Sequence, residues 1–189
     1  MDINEDIHKS LEILHAGGTL LYPTDTIWGI GCDATNYLAV DKIYNIKRRL
    51  GTKSLIVLIE SFESLANYIK QVPEITFDLL QRIDNPVTVI YSNARNLAPN
   101  VIAKDGTIGI RIVKDTFCTA LIRQFGRPIV STSANISGEP SPSMFNQILD
   151  EVKDKVDYVV SYKQDIYTQA KPSTIIRLYE NGQYTMIRD

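Results

Sequence analysis

The sequence is poor in the residues that carry most metal and nucleophilic chemistry: two cysteines, two histidines and one tryptophan in 189 residues. Cys32 and Cys118 share no metal-type spacing with each other or with His8 and His15, which argues against a zinc site and a disulfide framework. Both histidines fall within the first fifteen residues and no G-x-S-x-G occurs, so a Ser-His-Asp hydrolase is not supported. There is no G-x-x-x-x-G-K-[ST] loop, and no pair of spaced carboxylates points to a two-metal centre. No window approaches the ~18 consecutive apolar residues of a membrane span. The acidic start, Met1 to Asp6, has no apolar core of a secretion signal, so a soluble cytoplasmic protein is expected and the Asn135-Ile136-Ser137 sequon is a chance match. Excess positive charge is also missing: 20 Lys and Arg against 22 Asp and Glu give a net charge of −2. A surface built to coat a polyanion would be basic, whereas a local basic pocket is compatible with this charge.

What is present fits a globular chain, with 44% hydrophobic and 22% charged residues and a length suited to one domain over 1–189. Ile7, Leu11 and Leu14 place a helical stripe before Gly17-Gly18. Strands are expected at 19–22, 29–33, 55–59, 87–91, 108–112, 129–132, 157–161, 174–179 and 184–188. Helices are expected to about residue 48 from Leu38, and over 62–69, 74–83, 116–125 and 144–152. Helices and strands alternate for two thirds of the chain, then strands dominate, which predicts an α/β (α+β) domain with a mixed, twisted sheet. Residues 162–173 lack periodicity and read as a mobile loop, a candidate lid.

Four stretches could assemble an anion site. Residues 41–53 hold five basic side chains and one acid, among them Lys47, Arg48, Arg49 and Lys53. They read either as a solvated helix end or as a phosphate clamp. Pro23-Thr24-Asp25-Thr26 reads as a turn whose side chains cap local N–H groups, or as part of a site. Arg111 ends a strand beginning near Gly106, where open α/β sheets bind ligands. Ser131, Thr132, Ser133 and Asn135 follow the buried residues Ile129 and Val130, and such hydroxyls with turn N–H groups can nest phosphate oxygens. Cations plus small hydroxyls suit an anionic ligand such as a nucleotide.

These stretches, PTDTIWGI at 23–30, Lys47-x-Arg49, GTIGIR at 106–111, STSANISG at 131–138 and PSTII at 172–176, occur in the order that resembles the YrdC family of threonylcarbamoyl-AMP synthases. The resemblance runs from about residue 8 to 189. It implies a single-domain, twisted open mixed sheet with flanking helices and a basic concave ligand face. It also implies an enzyme that joins ATP, L-threonine and bicarbonate into threonylcarbamoyl-AMP and pyrophosphate, the first stage of tRNA t6A modification. It further implies a separate threonylcarbamoyl-transferase complex acting downstream and, at most, weak tRNA or double-stranded RNA contact.

By the same resemblance, Lys47, Arg49, Ser133 and Asn135 are the catalytic set, stabilising charge as the carbamate attacks the α-phosphorus. ATP contacts fall on Arg49, Lys53, Thr107, Ser133, Ser141 and Arg188. Threonine contacts fall on Thr26, Arg111, Ser131 and Ser173, with Arg111 suited to the carboxylate. Mg2+ is expected mainly on phosphate oxygens, with no metal-ligating cage. Three positions depart from the family pattern: Lys53 stands for an asparagine, Leu58 for a frequent histidine and Trp28 for a tyrosine. With the sequence ending at Asp189, the extra C-terminal domain of longer relatives is not expected. The competing expectations are a YciO-like paralogue of the same fold and a non-catalytic RNA-binding module.

Overall fold

The computed structural model describes residues 2–48, 55–166 and 171–189. Nine strands form one sheet: β1 Thr19–Tyr22, β2 Gly29–Cys32, β3 Ile56–Ile59, β4 Val87–Tyr91, β5 Ile108–Ile112, β6 Ile129–Ser133, β7 Tyr158–Val159, β8 Thr174–Leu178 and β9 Tyr184–Arg188. Their spatial order is β7-β1-β2-β6-β3-β5-β4-β8-β9. The pairs β1/β7, β3/β5 and β4/β8 are parallel and the other five antiparallel, so the sheet is mixed as expected.

Strand alternation sorts the side chains into two layers. Leu21, Ile30, Cys32, Val57, Ile59, Ile110, Val130 and Val89 point to one face and pack with helices α2 (Tyr37–Ile46), α3 (Leu65–Tyr68) and α4 (Thr76–Gln81). Leu20, Tyr22, Leu58, Val113 and Ile129 point to the other, beneath α1 (Ile3–His15) and α5 (Thr116–Phe125). α5 presents Phe117, Leu121, Ile122 and Phe125 at helical spacing. It is capped by Asp115, whose carboxylate accepts from the Cys118 N–H at 3.0 Å, and stopped by Gly126 at φ +70°.

The α1/α5 pair covers only part of its face. Beyond it the same face carries Gly29 on β2, Ser131 and Ser133 on β6, Gly109 and Arg111 on β5, and Thr88 on β4. Among the described residues α1 and α5 do not extend over this row, most of it small side chains, and a cavity lies there.

Helix and strand positions follow the sequence reading closely, with two main differences. The helix expected over 144–152 is broken into a 3-10 turn at Phe145–Gln147 and α6 at Asp150–Lys153. Ile148 and Leu149 between them are extended, so that Ile148 is buried, while the Gln147 amide oxygen accepts from the N–H groups of Ser143 and Met144. The strand expected over 157–161 pairs only at Tyr158 and Val159. Its end is pulled away by the buried Asp6 carboxylate, which accepts from Ser161 N at 3.0 Å, Tyr162 N at 2.8 Å and the Tyr158 hydroxyl at 2.6 Å.

The same anchoring corrects the picture of a mobile 162–173 segment at its start. Tyr162 stacks on Phe117, and Lys163 donates to Asp115 at 2.6 Å. Residues 167–170 of that segment lie outside the described residues.

Candidate functional site

The uncovered part of the sheet face is a cavity of about 250 Å³. Its polar lining is Thr26, Arg111, Ser131, Thr132, Ser133, Ser141, Ser173 and Arg188, and its apolar lining includes Ile27, Leu55, Ile56, Pro172 and Ile175. Seven separate segments contribute, and they meet because β6, β3, β5, β4 and β8 are adjacent strands. Gly29 forms part of the wall, where a Cβ would lie 3.0 Å from Ser131 Oγ. Two residues further along β2, Gly31 lets the Tyr22 ring pass over the strand toward β6, so that its hydroxyl donates to Val130 O at 2.9 Å.

Arg111 is the electrostatic centre. It is only 3% exposed, although its guanidinium charge is permanent. Nη1 donates to Thr26 Oγ1 at 3.1 Å, Nη2 to Thr24 Oγ1 at 3.5 Å, and Nη2 lies 3.2 Å from Asp25 Oδ1. The Nε–H is buried and has no hydrogen-bond partner within the described protein. Arg188, at the end of β9, reaches into the same cavity, with Nε and Nη2 donating to Ser173 O at 3.1 and 2.7 Å. Its pKa lies below the usual arginine range, first through burial and then through the charge of Arg111. Two guanidinium groups close enough to oppose each other, set among hydroxyls, form a place where an anion relieves repulsion.

Ser173 is 4% exposed and its hydroxyl shares a 2.8 Å bond with Thr88, which fixes the start of β8 over β4. Ser131 is equally buried, at 4%. At the rim, Lys47 follows α2 as its C-cap and is 3% exposed. Its ammonium donates to Ser133 O at 2.5 Å, Asn135 O at 2.7 Å and Asn135 Oδ1 at 3.2 Å, while its backbone oxygen accepts from Ser137 N at 3.0 Å. Ser133 Oγ in turn donates to Asn135 Oδ1 at 2.5 Å. The lysine therefore ties the helix end to the loop that follows β6.

Of the residues expected to contact ATP or threonine, seven line one cavity: Thr26, Arg111, Ser131, Ser133, Ser141, Ser173 and Arg188. Lys47 and Asn135 stand next to Ser133 but are not part of the lining. Thr107 is not in the lining either: its hydroxyl donates to Asp105 Oδ1 at 2.6 Å at the far end of β5. Arg49 and Lys53 lie outside the described residues. Leu58 is fully buried opposite Arg111 in the β3/β5 register and packs with the α1/α5 layer. Trp28 is a core residue, tilted against Phe145 at 4.9 Å. Sequence reasoning left Thr24 and Asp25 as either turn residues or part of a site. Their grip on Arg111 was not visible because the two segments are 85 or more residues apart, and the only signal was their place beside Thr26.

Among the described residues, no group of three or more His, Cys, Asp or Glu side chains is arranged to hold a metal. No described helix is long and apolar enough to cross a membrane.

An open mixed α/β sheet with a hydroxyl-lined cavity holding two arginines defines a binding domain for a small anionic ligand. The family is more specific: residues 12–189 match the Sua5/YciO/YrdC family, described as "Telomere recombination", and the chain belongs to that family. It is 35% identical over 196 residues to a putative threonylcarbamoyl-AMP synthase of Methanocaldococcus jannaschii, covering 100% of this chain and 89% of that protein. It is 28% identical over 178 residues to a threonylcarbamoyl-AMP synthase of Pseudoalteromonas translucida, covering 93% of this chain and 94% of the relative. The structure of P. abyssi Sua5 complexed with L-threonine superposes with a TM-score of 0.85 at 27% identity, covering 94% of this chain and 52% of that one. The chain thus spans about half the length of that solved relative.

Proposed function

We infer that this chain is a threonylcarbamoyl-AMP synthase, which converts ATP, L-threonine and bicarbonate into threonylcarbamoyl-AMP and pyrophosphate. The observation that carries this reading is Arg111: a nearly buried guanidinium with an unpartnered Nε–H, beside Arg188, in a cavity otherwise lined by hydroxyls. Such a group suits an amino-acid carboxylate, and the second cation suits phosphate. The relatives named as synthases and the solved relative with L-threonine bound support the same assignment.

In this reading Thr26, Arg111, Ser131 and Ser173 hold L-threonine. The threonine amine and bicarbonate condense to a carbamate with loss of water, a carbamate oxygen then attacks the α-phosphorus, and the bond to the β-phosphate breaks so that pyrophosphate leaves. Arg188, Ser133 and Ser141 contact the ATP, joined by Arg49, Lys53 and Thr107 on the strength of the family resemblance. Lys47 and Asn135 shape the loop that carries Ser133, and the Lys47 ammonium adds positive potential near the reacting phosphate. The described lining has no carboxylate, so Mg2+ would be carried by ATP phosphate oxygens rather than by a protein cage. The product is a mixed anhydride and needs a transferase to pass its threonylcarbamoyl group to the tRNA adenosine. Direct tRNA contact would be weak, given a net charge of −2. The whole chain acts as one domain, in the cytoplasm.

The test is pyrophosphate release. Release that requires ATP, bicarbonate and L-threonine together is expected; release independent of threonine, or none, rules the assignment out.

A further inference from the structure

We propose that Asp25 is a positioning residue: its carboxylate, with the flanking hydroxyls of Thr24 and Thr26, fixes the Arg111 guanidinium in the one orientation that receives the ligand carboxylate. This rests on the functional reading above.

Three consecutive residues of the β1–β2 connection grip one side chain of β5. Thr24 Oγ1 accepts from Thr26 N at 3.0 Å, lies 3.0 Å from Thr26 Oγ1 and donates to Ile27 O at 2.8 Å, so the turn is closed on itself and behaves as a unit. Asp25 then ties this unit to the Arg111 segment at two points. Oδ1 lies 3.2 Å from Arg111 Nη2, and Oδ2 accepts from Lys114 N, three residues further along the chain, at 3.3 Å. Burying an arginine without a counter-charge costs several kcal/mol, and Asp25 is the carboxylate paired with Arg111.

Asp25 does not line the main cavity. It lines a separate hollow of about 100 Å³ with Leu80, Ile83, Val87 and Lys114, on the far side of the turn. It therefore acts on a ligand only through Arg111. Its Oδ1 and the Arg111 Nε–H are both buried without an aligned hydrogen bond. The pair is thus held by charge and by the turn, and the guanidinium keeps donor capacity for an incoming carboxylate.

Two effects of the carboxylate oppose each other. As a charge it weakens the pull of Arg111 on an anion; as a brace it removes the orientational freedom that binding would otherwise have to freeze. Thr26 and Thr24 alone leave Arg111 with one bond at 3.1 Å and one at the 3.5 Å limit, so the brace dominates.

Asp25→Asn decides the sign. With the full chain at saturating ATP and bicarbonate, the KM for L-threonine is expected to rise about tenfold or more, with the KM for ATP changed by less than about twofold. Asp25→Glu, which restores the charge one methylene further out, is expected to give an intermediate KM for threonine. A threonine KM that is unchanged or lower in Asp25→Asn, with the melting midpoint near that of the unsubstituted protein, overturns the proposal. Should Asp25→Asn fail to fold, Asp25→Glu alone decides: a threonine KM raised about threefold supports the brace, and an unaltered one overturns it. If the unsubstituted chain releases no threonine-dependent pyrophosphate, the functional reading fails and the brace fails with it.

Discussion

Lys47 shows how much one side chain can hold in place. Its ammonium meets the carbonyls of Ser133 and Asn135 and the Asn135 side chain, so it organises the loop after β6 from inside. Replacing it by methionine keeps the stem and removes the donors, leaving carbonyls short of partners at a cost of about 1–3 kcal/mol each. Lys47→Met is therefore expected to lower pyrophosphate release by about a hundredfold and to speed amide exchange at Ser137. Near-normal turnover in this variant would show that the loop keeps its shape without the lysine. Lys47→Arg is not expected to rescue, because a planar fork cannot serve three acceptors converging on one point. The two cysteines give a complementary residue-level prediction. Cys32 and Cys118 are fully buried, and burial pushes both thiols well above the usual range, further raised by Asp33 and Asp115 respectively. Neither should react with a thiol reagent at pH 8 until the protein is unfolded, and rapid native-state labelling of either would contradict its burial.

Among the strands, β2 is defined by what it lacks. A Cβ on Gly31 would lie 2.0 Å from Val130 O and within 3 Å of the Tyr22 ring, and both obstacles are fixed, one being backbone and the other a fully buried tyrosine. Gly31→Ala is expected to destabilise the fold by about 3 kcal/mol or more, read as a lower urea midpoint at unchanged slope. A midpoint shift below about 1 kcal/mol would mean that β2 and β6 can separate more easily than their pairing suggests. The elements themselves were largely legible in the sequence. Ile7, Leu11 and Leu14 mark α1 by helical spacing, and the β-branched runs at Ile56–Ile59 and Ile129–Val130 mark central strands. The broken helix around residue 148 was not legible, because Ile148 leaves helical geometry to reach a core that local spacing does not reveal. The anchoring of residues 161–163 was hidden for the same reason, since Asp6 and Asp115 come from distant helices.

At the scale of the whole molecule, a site shared by β2, β5, β6, β8 and β9 couples ligand binding to the integrity of the sheet. ATP and L-threonine at about a hundred times their dissociation constants should each stabilise the protein by about 2.7 kcal/mol. The expected readout is a melting midpoint that climbs with ligand concentration. A midpoint indifferent to both ligands would contradict the assigned site. Because the two arginines repel each other, inorganic phosphate or pyrophosphate should stabilise the empty protein as well, and high salt should weaken that effect.

The sequence by itself determined the α/β class with its mixed sheet and flanking helices, because alternation and helical spacing are local consequences of which residues are apolar. It also determined the family, because the five motifs keep their order and composition along the chain. Only the tertiary structure decided which residues share the cavity. It gathered Thr26, Arg111, Ser131, Ser173 and Arg188, turned Thr107 toward Asp105, and set Asp25 behind Arg111. Those outcomes depend on strand order and on the stretch of sheet that α1 and α5 leave uncovered. Both are settled by packing between segments far apart in sequence, where no local pattern records them.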